Sequence, residues 1–461
     1  MRSTPEVDAR TGLDKLATYP YQILTWVDDA GYPVSVAVQA RTNPGDLSAR
    51  FEAPAGLTVP TDREVSLTGS HIRPQPGYGY DERRHVTVWG PATISGSTVA
   101  ITGRTAWGWD EAEVPFFEYS ERSVGKSRAY FDALSAERGT PVKPKLSFGF
   151  LTLRTTRLPF LTATVVPVTL GILIAASHGS FDAIAALLTI IGACFVQLGL
   201  NVANDVFDTL SGADDANVTP TQFSGGSRVI QYGLVSLRQM ATLSTVFYVL
   251  AGIIGLILLA THGSPTLLVI GVVGFIVSLG YTAPPLKFVY RGLGEIAVAL
   301  GFGPLMLLGA YVVQTGGALA WEPFVASIPV ALLVALILYV NEIPDRRSDA
   351  RAGKRTLPVR FSRTAVIAGY NVAAAAAYVI LVVGVLVGVL PIPVLLMLLT
   401  IPLALKVSRG LAPNYENPYG LMAIMGTNVQ LHLRAGLLLL GAYLIVLIVG
   451  AVAPSVRLFI G

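Results

Sequence analysis

Two stretches of this chain carry carboxylates at spacings that let them share a ligand. Asn201-Val-Ala-Asn204-Asp205-Val-Phe-Asp208 sets two aspartates at i, i+3, and Asn341-Glu342-Ile-Pro-Asp345-Arg-Arg-Ser-Asp349 sets two at i, i+4. Either spacing puts both carboxylates on one face of a helix. Ser211-Gly212-Ala-Asp214-Asp215 follows the first pair. Two such pairs at one surface suit a hard divalent cation. Mg²⁺ takes carboxylate oxygens, keeps several waters and draws its remaining ligands from phosphates. On this reading Asp205, Asp208, Asp345 and Asp349 hold the metal, and a diphosphate is clamped between the two stretches.

The neighbouring residues suit an anion. Ser224-Gly225-Gly226-Ser227-Arg228 offers consecutive backbone N–H groups that can form an anion-binding nest. Gly353-Lys354-Arg355-Thr356 supplies cations just after the second carboxylate pair, and Tyr281, Lys287 and Arg291 lie between the two motifs. Arg and Lys can stabilise a departing diphosphate. Arg228, Lys287 and Lys354 are read in that role, whereas Arg346, Arg347 and Arg360 are read as charges that orient the chain in a membrane.

The elements that must position these groups are membrane helices. Of the 461 residues 52% are hydrophobic and 13% charged, about half the charge of an average soluble domain, which excludes a single soluble core. Charges have ordinary density over residues 1–157; beyond them long apolar runs alternate with short polar loops. A helix needs about 20 apolar residues to cross a bilayer. Nine segments qualify: 158–177, 181–202, 241–261, 265–283, 293–315, 322–341, 364–389, 391–408 and 434–453. Lys and Arg concentrate in the loops after even-numbered segments, as Arg228 and Arg238, Lys287 and Arg291, and Lys406, Arg409 and Arg434 show. The positive-inside rule makes those loops cytoplasmic. Parity puts the N-terminal domain on the same side and Arg457 on the other. Residues 1–20 contain Asp8, Arg10, Asp14 and Lys15 and no apolar core, so no secretory signal peptide is expected. The expected location is the cell membrane, multi-pass, with the N-terminal domain and the active-site loops cytoplasmic. Cys194 is the single cysteine, which excludes intrachain disulfides and multi-cysteine metal sites.

The motif pair N-D-x-x-D and N-x-x-x-D-x-x-x-D-x-x-x-G-K-R-T-L-P resembles the UbiA superfamily of intramembrane prenyltransferases over about 158–453. Within it, Asn201 to Asp208 with Gly212 and Asp214, Tyr290-Arg-Gly-Leu-Gly-Glu295 and Gly353-Lys-Arg-Thr-Leu-Pro-Val-Arg360 resemble the 1,4-dihydroxy-2-naphthoate prenyltransferases of menaquinone synthesis. The resemblance implies an Mg²⁺-dependent transfer of a polyprenyl group from its diphosphate to an aromatic acceptor. The allylic C–O bond ionises and the cation attacks an electron-rich ring carbon, with loss of the acceptor carboxylate. It implies a catalytic set of the four aspartates and Lys287. The expected substrate-binding set is Asn201, Asn204, Asp214, Arg228, Tyr281, Asn341, Lys354 and Arg355. The general base is open among Asp214, Glu295 and the diphosphate, and His432 is read as structural. The chain departs from the superfamily where a third aspartate usually stands; Gly212 is there, and Asp214 is the substitute. Tyr281 and Lys287 are also spaced differently. The expected partners are the polyprenyl diphosphate, the acceptor and the lipid bilayer, with no nucleic acid. Another quinone precursor or a glycerol phosphate ether is the competing acceptor. An ion-coupled transporter would instead put polar groups at the bilayer midplane.

Residues 20–105 read as short alternating strands separated by turns: Tyr21 to Val27, Pro33 to Val38, Glu64 to Thr68, His85 to Trp89 and Thr98 to Thr102. Such spacing suggests a small antiparallel barrel. The first hairpin and Trp89-Gly-Pro-Ala-Thr resemble pyridoxamine 5′-phosphate oxidase-like split barrels, with Trp107, Trp109 and Ser123 to Leu134 as a partly helical end. Such barrels bind FMN or a related cofactor or are purely structural or regulatory, and the residues leave both open. The expected organisation is a split-barrel-like domain over 1–145, a linker over 146–157 and an all-α multi-pass bundle over 158–461.

Overall fold

Asp28 shapes the first hairpin of the chain. Its carboxylate accepts the N–H groups of Ala30 at 3.0 Å and Tyr32 at 2.8 Å, and Gly31 supplies the positive φ of 86° that closes the turn. This hairpin belongs to a computed structural model of the chain that describes residues 7–74, 80–144 and 146–460. Lys145, at the expected barrel boundary, lies outside the described residues. The chain separates into two units, Met1–Ser127 and Arg128–Gly461.

The first unit opens with helix α1 (Ala9–Leu16), capped by the Asp8 carboxylate on the Thr11 N–H at 2.7 Å. Eight strands follow: β1 (Gln22–Val27), β2 (Pro33–Val38), β3 (Arg41–Asn43), β4 (Ser48–Glu52), β5 (Glu64–Pro74), β6 (Tyr80–Ser95), β7 (Thr98–Thr102) and β8 (Thr105–Asp110). They form one antiparallel sheet in the order β2-β1-β5-β6-β7-β4-β3, with β8 also paired to β6. Alternation along the strands sends Leu24 and Trp26, Val65 and Leu67, Val86 and Val88, and Val99 and Ile101 inward onto Leu13 and Leu16 of α1. Helix α2 (Phe116–Arg138) crosses the division between the units.

The second unit is helical. It contains α3 (Phe148–Thr156), α4 (Thr162–Ser177), α5 (Ala183–Leu210), the short α6 (Ala213–Ala216), α7 (Leu237–His262) and α8 (Pro265–Gly280). Then come α9 (Gly294–Leu300) and α10 (Met306–Thr315), joined through a π turn over Gly301–Leu305, α11 (Trp321–Arg351) and α12 (Leu357–Arg360). The chain ends with α13 (Arg363–Leu386), α14 (Ile401–Asn414), entered by a 3-10 segment over Ile392–Thr400, and α15 (Pro418–Val452). The segment 146–157, read as a linker, therefore holds a helix, and Thr155 and Thr156 at its end are buried.

Among the described residues eight helical segments are long and apolar enough to cross a membrane, and the chain is a multi-pass membrane protein. The expected ninth, 265–283, is the shorter apolar helix α8 of 16 residues. At 1.5 Å per residue it extends about 24 Å, against a hydrocarbon core of about 30 Å. It stops before Pro284 and Pro285, which lack the amide donors that would continue it and disfavour helical backbone in the preceding residue. The last helix begins at Pro418, earlier than the expected 434.

Helix α11 is the axis of the bundle. Of its most apolar window 67% is buried, against 17% for α7, whose Val249, Ile253 and Leu256 are exposed and face lipid. Val330, Leu333, Leu336 and Val340 of α11 pack against Leu170, Leu307, Tyr370, Leu381 and Tyr443. At the α11 N-terminal end the Glu322 carboxylate accepts from Tyr443 at 2.7 Å and pairs with His178 at 2.7 Å, and His178 also bonds Tyr311 at 2.9 Å. One carboxylate thus ties α4, α10, α11 and α15 together at the end opposite the aspartates.

Helices α4 and α10 touch backbone to backbone at Gly171. A Cβ there would lie 2.2 Å from the Leu307 carbonyl oxygen, while one at Gly252 on α7 would meet nothing within 4 Å. Small residues let membrane helices approach closely, and forced overpacking costs about 1–3 kcal/mol. Gly171→Ala is expected to lower the thermal unfolding midpoint of the purified protein in detergent, and Gly252→Ala to leave it unchanged.

Candidate active site

The two carboxylate motifs end the two helices that can bring them together. Asp205 and Asp208 occupy the last turns of α5, and Asp345 and Asp349 those of α11. Asp205, Asp208 and Asp349 are buried and Asp345 is half-buried. Carboxylates so placed require partners, since an unpaired buried charge is strongly unfavourable.

Lys354 joins the motifs directly. Its ammonium lies 3.2 Å from Asp208 Oδ2 and 3.8 Å from Asp349 Oδ1. Burial works against that charge, but Asp208 and Asp349 outweigh it and hold the ammonium well above the ordinary lysine range. The turn that delivers it is fixed by Gly353 at φ 75° and by the Lys354 N–H on the Asp349 carbonyl at 2.8 Å. Asn204 donates to the same Asp208 Oδ2 at 3.1 Å, and Tyr290 donates to Oδ1 at 2.7 Å. Arg157 pairs with Asp205 and reaches Asn204 Oδ1 at 3.4 Å.

The loop between α6 and α7 makes a second link. Asn217 Nδ2 donates to Asp345 Oδ1 at 2.9 Å and the Gly225 N–H to Asp345 Oδ2 at 2.9 Å, while the Ser227 N–H reaches both Asp205 oxygens at 3.3 Å. The backbone donors expected to cradle an anion thus cradle aspartates from both motifs. Gly225 and Gly226, at φ 79° and 75°, allow the turn. A Cβ at Gly226 would lie 2.9 Å from Asp214 Oδ1, so the loop also closes over Asp214. Burial first, then the charges of Asp208 and Asp205, push the Asp214 carboxyl well above the usual range. The Asp214 carbonyl accepts from Arg228.

The other expected residues are placed unevenly. Asn201 donates to the Thr156 carbonyl at 3.1 Å, which holds α3 against α5. Tyr281 is buried, and Asn341 Oδ1 is buried without a hydrogen-bond partner among the described residues. Lys287 lies 5.2 Å from the centre of the Tyr290 ring, with Lys354 at 5.9 Å from the same ring. It is therefore set one ring away from Asp208. Arg355 is exposed, and its backbone N–H rather than its side chain engages the site region, at Tyr290 O, 3.2 Å. Arg346 and Arg347 pair with Glu416 at 2.5 and 2.9 Å. His432 is buried with Nε2 3.5 Å from the Thr162 carbonyl.

Three contributors escaped the sequence reading as site residues: Arg157, Tyr290 and Asn217. Arg157 is one of five non-glycine residues with positive φ among the described residues, and Arg228 and Lys287 are two others. Such strained positions gather at functional sites, but φ is not written in residue type. Tyr290 stood inside a quoted motif without a role of its own.

The residues fit a divalent cation that completes its shell with water and phosphate. Among the described residues no three acidic, His or Cys side chains form a closed metal cage. Asp349 Oδ2 and Asp214 Oδ2 are buried without hydrogen-bond partners among them, leaving lone pairs for a ligand.

The model of the UbiA prenyltransferase family matches residues 164–418, more than half of the chain. The chain belongs to the UbiA prenyltransferase family. A UbiA-family chain is an intramembrane prenyltransferase, and both carboxylate motifs lie inside the matched region. The sequence is 27% identical over 288 residues to a 2-carboxy-1,4-naphthoquinone phytyltransferase of Synechocystis sp., covering 62% of this chain and 90% of that one. It is 26% identical over 305 residues to a 1,4-dihydroxy-2-naphthoate octaprenyltransferase of Bacillus subtilis, covering 65% and 94%. Among solved structures it is similar to a UbiA homolog from Archaeoglobus fulgidus bound to GPP and Mg²⁺, at 15% identity and a TM-score of 0.45, covering 63% of this chain and 99% of that one.

Arg157 offers the sharpest test of this UbiA-family site as a charge-balanced unit. Removing one partner of a buried pair costs about 3–5 kcal/mol because it strands the other charge. Arg157→Met is expected to lower the thermal midpoint markedly, and Arg157→Met combined with Asp205→Asn to recover much of the loss, measured on the purified protein in detergent.

Proposed function

We propose that this protein transfers a polyprenyl group from its diphosphate to 1,4-dihydroxy-2-naphthoate, with loss of the acceptor carboxylate, in menaquinone synthesis. The observation that carries this reading is the single buried cluster into which Lys354 and the loop 217–228 draw both carboxylate motifs. The names of the Synechocystis and Bacillus relatives support the acceptor class.

Asp205, Asp208, Asp345 and Asp349 are the residues that would hold Mg²⁺. When bound, the metal neutralises diphosphate oxygens and eases departure of the leaving group. Lys354 exchanges its contacts with Asp208 and Asp349 for the diphosphate, and Arg228 and Lys287 add positive charge around it. The Gly225 and Ser227 N–H groups, already turned toward anions, donate to phosphate oxygens in the same orientation. Tyr290 and Asn204 keep Asp208 in place while Lys354 moves. The prenyl chain lies among the apolar helices on the membrane side of this cluster. The Lys and Arg bias of the loops supports a cytoplasmic position for the cluster and the N-terminal unit.

The test is transfer of radiolabel from a polyprenyl diphosphate to 1,4-dihydroxy-2-naphthoate by purified protein in lipid nanodiscs with Mg²⁺. Labelled product is expected, abolished by EDTA and restored by added Mg²⁺. Asp205→Ala and Asp345→Ala are each expected to lower the rate at least about a hundredfold, the scale of losing one charge-stabilising group. Transfer to glycerol phosphate but not to the naphthoate contradicts the acceptor assignment.

A further inference from the structure

A second pair of carboxyl groups lies beside the aspartates and takes no part in the arrangement described above. Glu295 begins α9 and Glu342 stands three residues before Asp345 on α11; they are 7% and 5% exposed. Helices α9 and α11, which carry them, pack against each other.

Counting hydrogen bonds leaves a vacancy. Glu295 Oε1 accepts from the Leu357 N–H at 3.4 Å. Glu295 Oε2 and both Glu342 oxygens are buried with no hydrogen-bond partner among the described residues. Either Glu342 oxygen is therefore open to a donor. A buried acceptor without a donor keeps its full desolvation penalty, and an ionisable group within a membrane span is placed for function by default.

The position of the Glu342 oxygens limits what can donate to them. Glu342, Asp345 and Asp349 follow i, i+3, i+7 and share one face of α11. Glu342 therefore sits about 4.5 Å further into the membrane than Asp345, at 1.5 Å per residue. With the diphosphate at the level of Asp345 and Asp349, this deeper level is where the first carbon of the prenyl group meets the acceptor ring. A molecule at that level can bring the missing donor. A carboxylate or phosphate is repelled by the pair, whereas a phenolic hydroxyl is a neutral donor.

We propose that Glu342, braced by Glu295, is the acceptor subsite of this enzyme and receives a hydrogen bond from a ring hydroxyl of a hydroxylated aromatic. This rests on the functional reading given above. The subsite selects for a hydroxyl, because a site built to bind one rejects analogues that leave its polar groups unpaired. It turns the hydroxyl edge of the ring toward α9 and α11, and so directs any carboxylate on the ring away from the pair.

The experiment uses the full chain in nanodiscs with Mg²⁺, geranylgeranyl diphosphate, and either 1,4-dihydroxy-2-naphthoate or its two mono-methyl ethers. Wild-type protein is expected to prefer the dihydroxy compound over at least one ether by a hundredfold or more in kcat/KM. Glu342→Gln is expected to raise the acceptor KM at least tenfold and shrink that preference at least tenfold. The KM for the diphosphate should stay within threefold. Glu295→Gln should show a smaller shift in the same direction. If Glu342→Gln does not fold, the wild-type ether comparison and Glu295→Gln decide. An unchanged preference and acceptor KM in the variants, with altered thermal stability alone, makes the pair a structural tie and overturns the inference while leaving the functional reading intact. A diphosphate KM that rises as far as the acceptor KM also overturns it, by assigning the pair to the diphosphate site. Wild-type protein that transfers to no hydroxylated aromatic overturns the functional reading and the inference together.

Discussion

The Lys354 ammonium between Asp208 of α5 and Asp349 of α11 is the contact on which the arrangement of the site depends. Two membrane helices that end in carboxylates repel each other unless a cation stands between them. Moving such ions out of water costs several kcal/mol each, and a pair offsets this only with good geometry and further hydrogen bonds. Those further bonds are present. Tyr290 and Asn204 complete Asp208, Arg157 and the Ser227 N–H complete Asp205, and Asn217 and the Gly225 N–H complete Asp345. Asp349 keeps one oxygen without a hydrogen-bond partner among the described residues. The cluster is thus held together yet short of satisfied, which is what the proposed exchange of internal cations for a metal and an anionic substrate requires.

The rest of the bundle protects that arrangement. Helix α11 is anchored at its other end by Glu322 with His178 and Tyr443, so its register relative to α4 and α15 is set by polar contacts at one end and charge at the other. Close approach at Gly171 fixes α4 against α10. Helices α7 and α8 expose apolar side chains to lipid, among them Leu256, Val269 and Phe275. The loop 217–228 is held by its carboxylate contacts and by the packing of Val229 on Val202 and Met240.

Much of this was legible in the sequence because the signals are local. Apolar runs near 20 residues identify spans whatever their neighbours, and i, i+3 or i, i+4 spacing identifies a shared helix face. The strands of the first unit were visible as alternation, Leu24 and Trp26 inward with Ile23 and Thr25 between them. What stayed hidden depends on distant partners or on backbone angles. Arg157 read only as the end of the charged stretch 1–157, because Asp205 lies 48 residues further along the chain. The glycine-rich stretch was legible as an anion cradle, but not that Asp205 and Asp345 fill it. Lys287 was legible as a cation for the leaving group, but not that its ammonium lies over the Tyr290 ring or that its backbone is left-handed at φ 46°. Glu295 was legible only as one of three open choices of base, since its neighbour Glu342 belongs to another helix.

The central claim is that the two carboxylate motifs act as one diphosphate-binding unit. Equilibrium binding of a polyprenyl diphosphate, with Mg²⁺, to Asp208→Asn, Asp349→Asn and the double variant tests it most directly. Residues within one network couple by about 0.5–3 kcal/mol, while independent sites add to within about 0.5 kcal/mol. The account predicts a coupling above about 1 kcal/mol, with the double variant binding little worse than either single one. Strictly additive losses would contradict it.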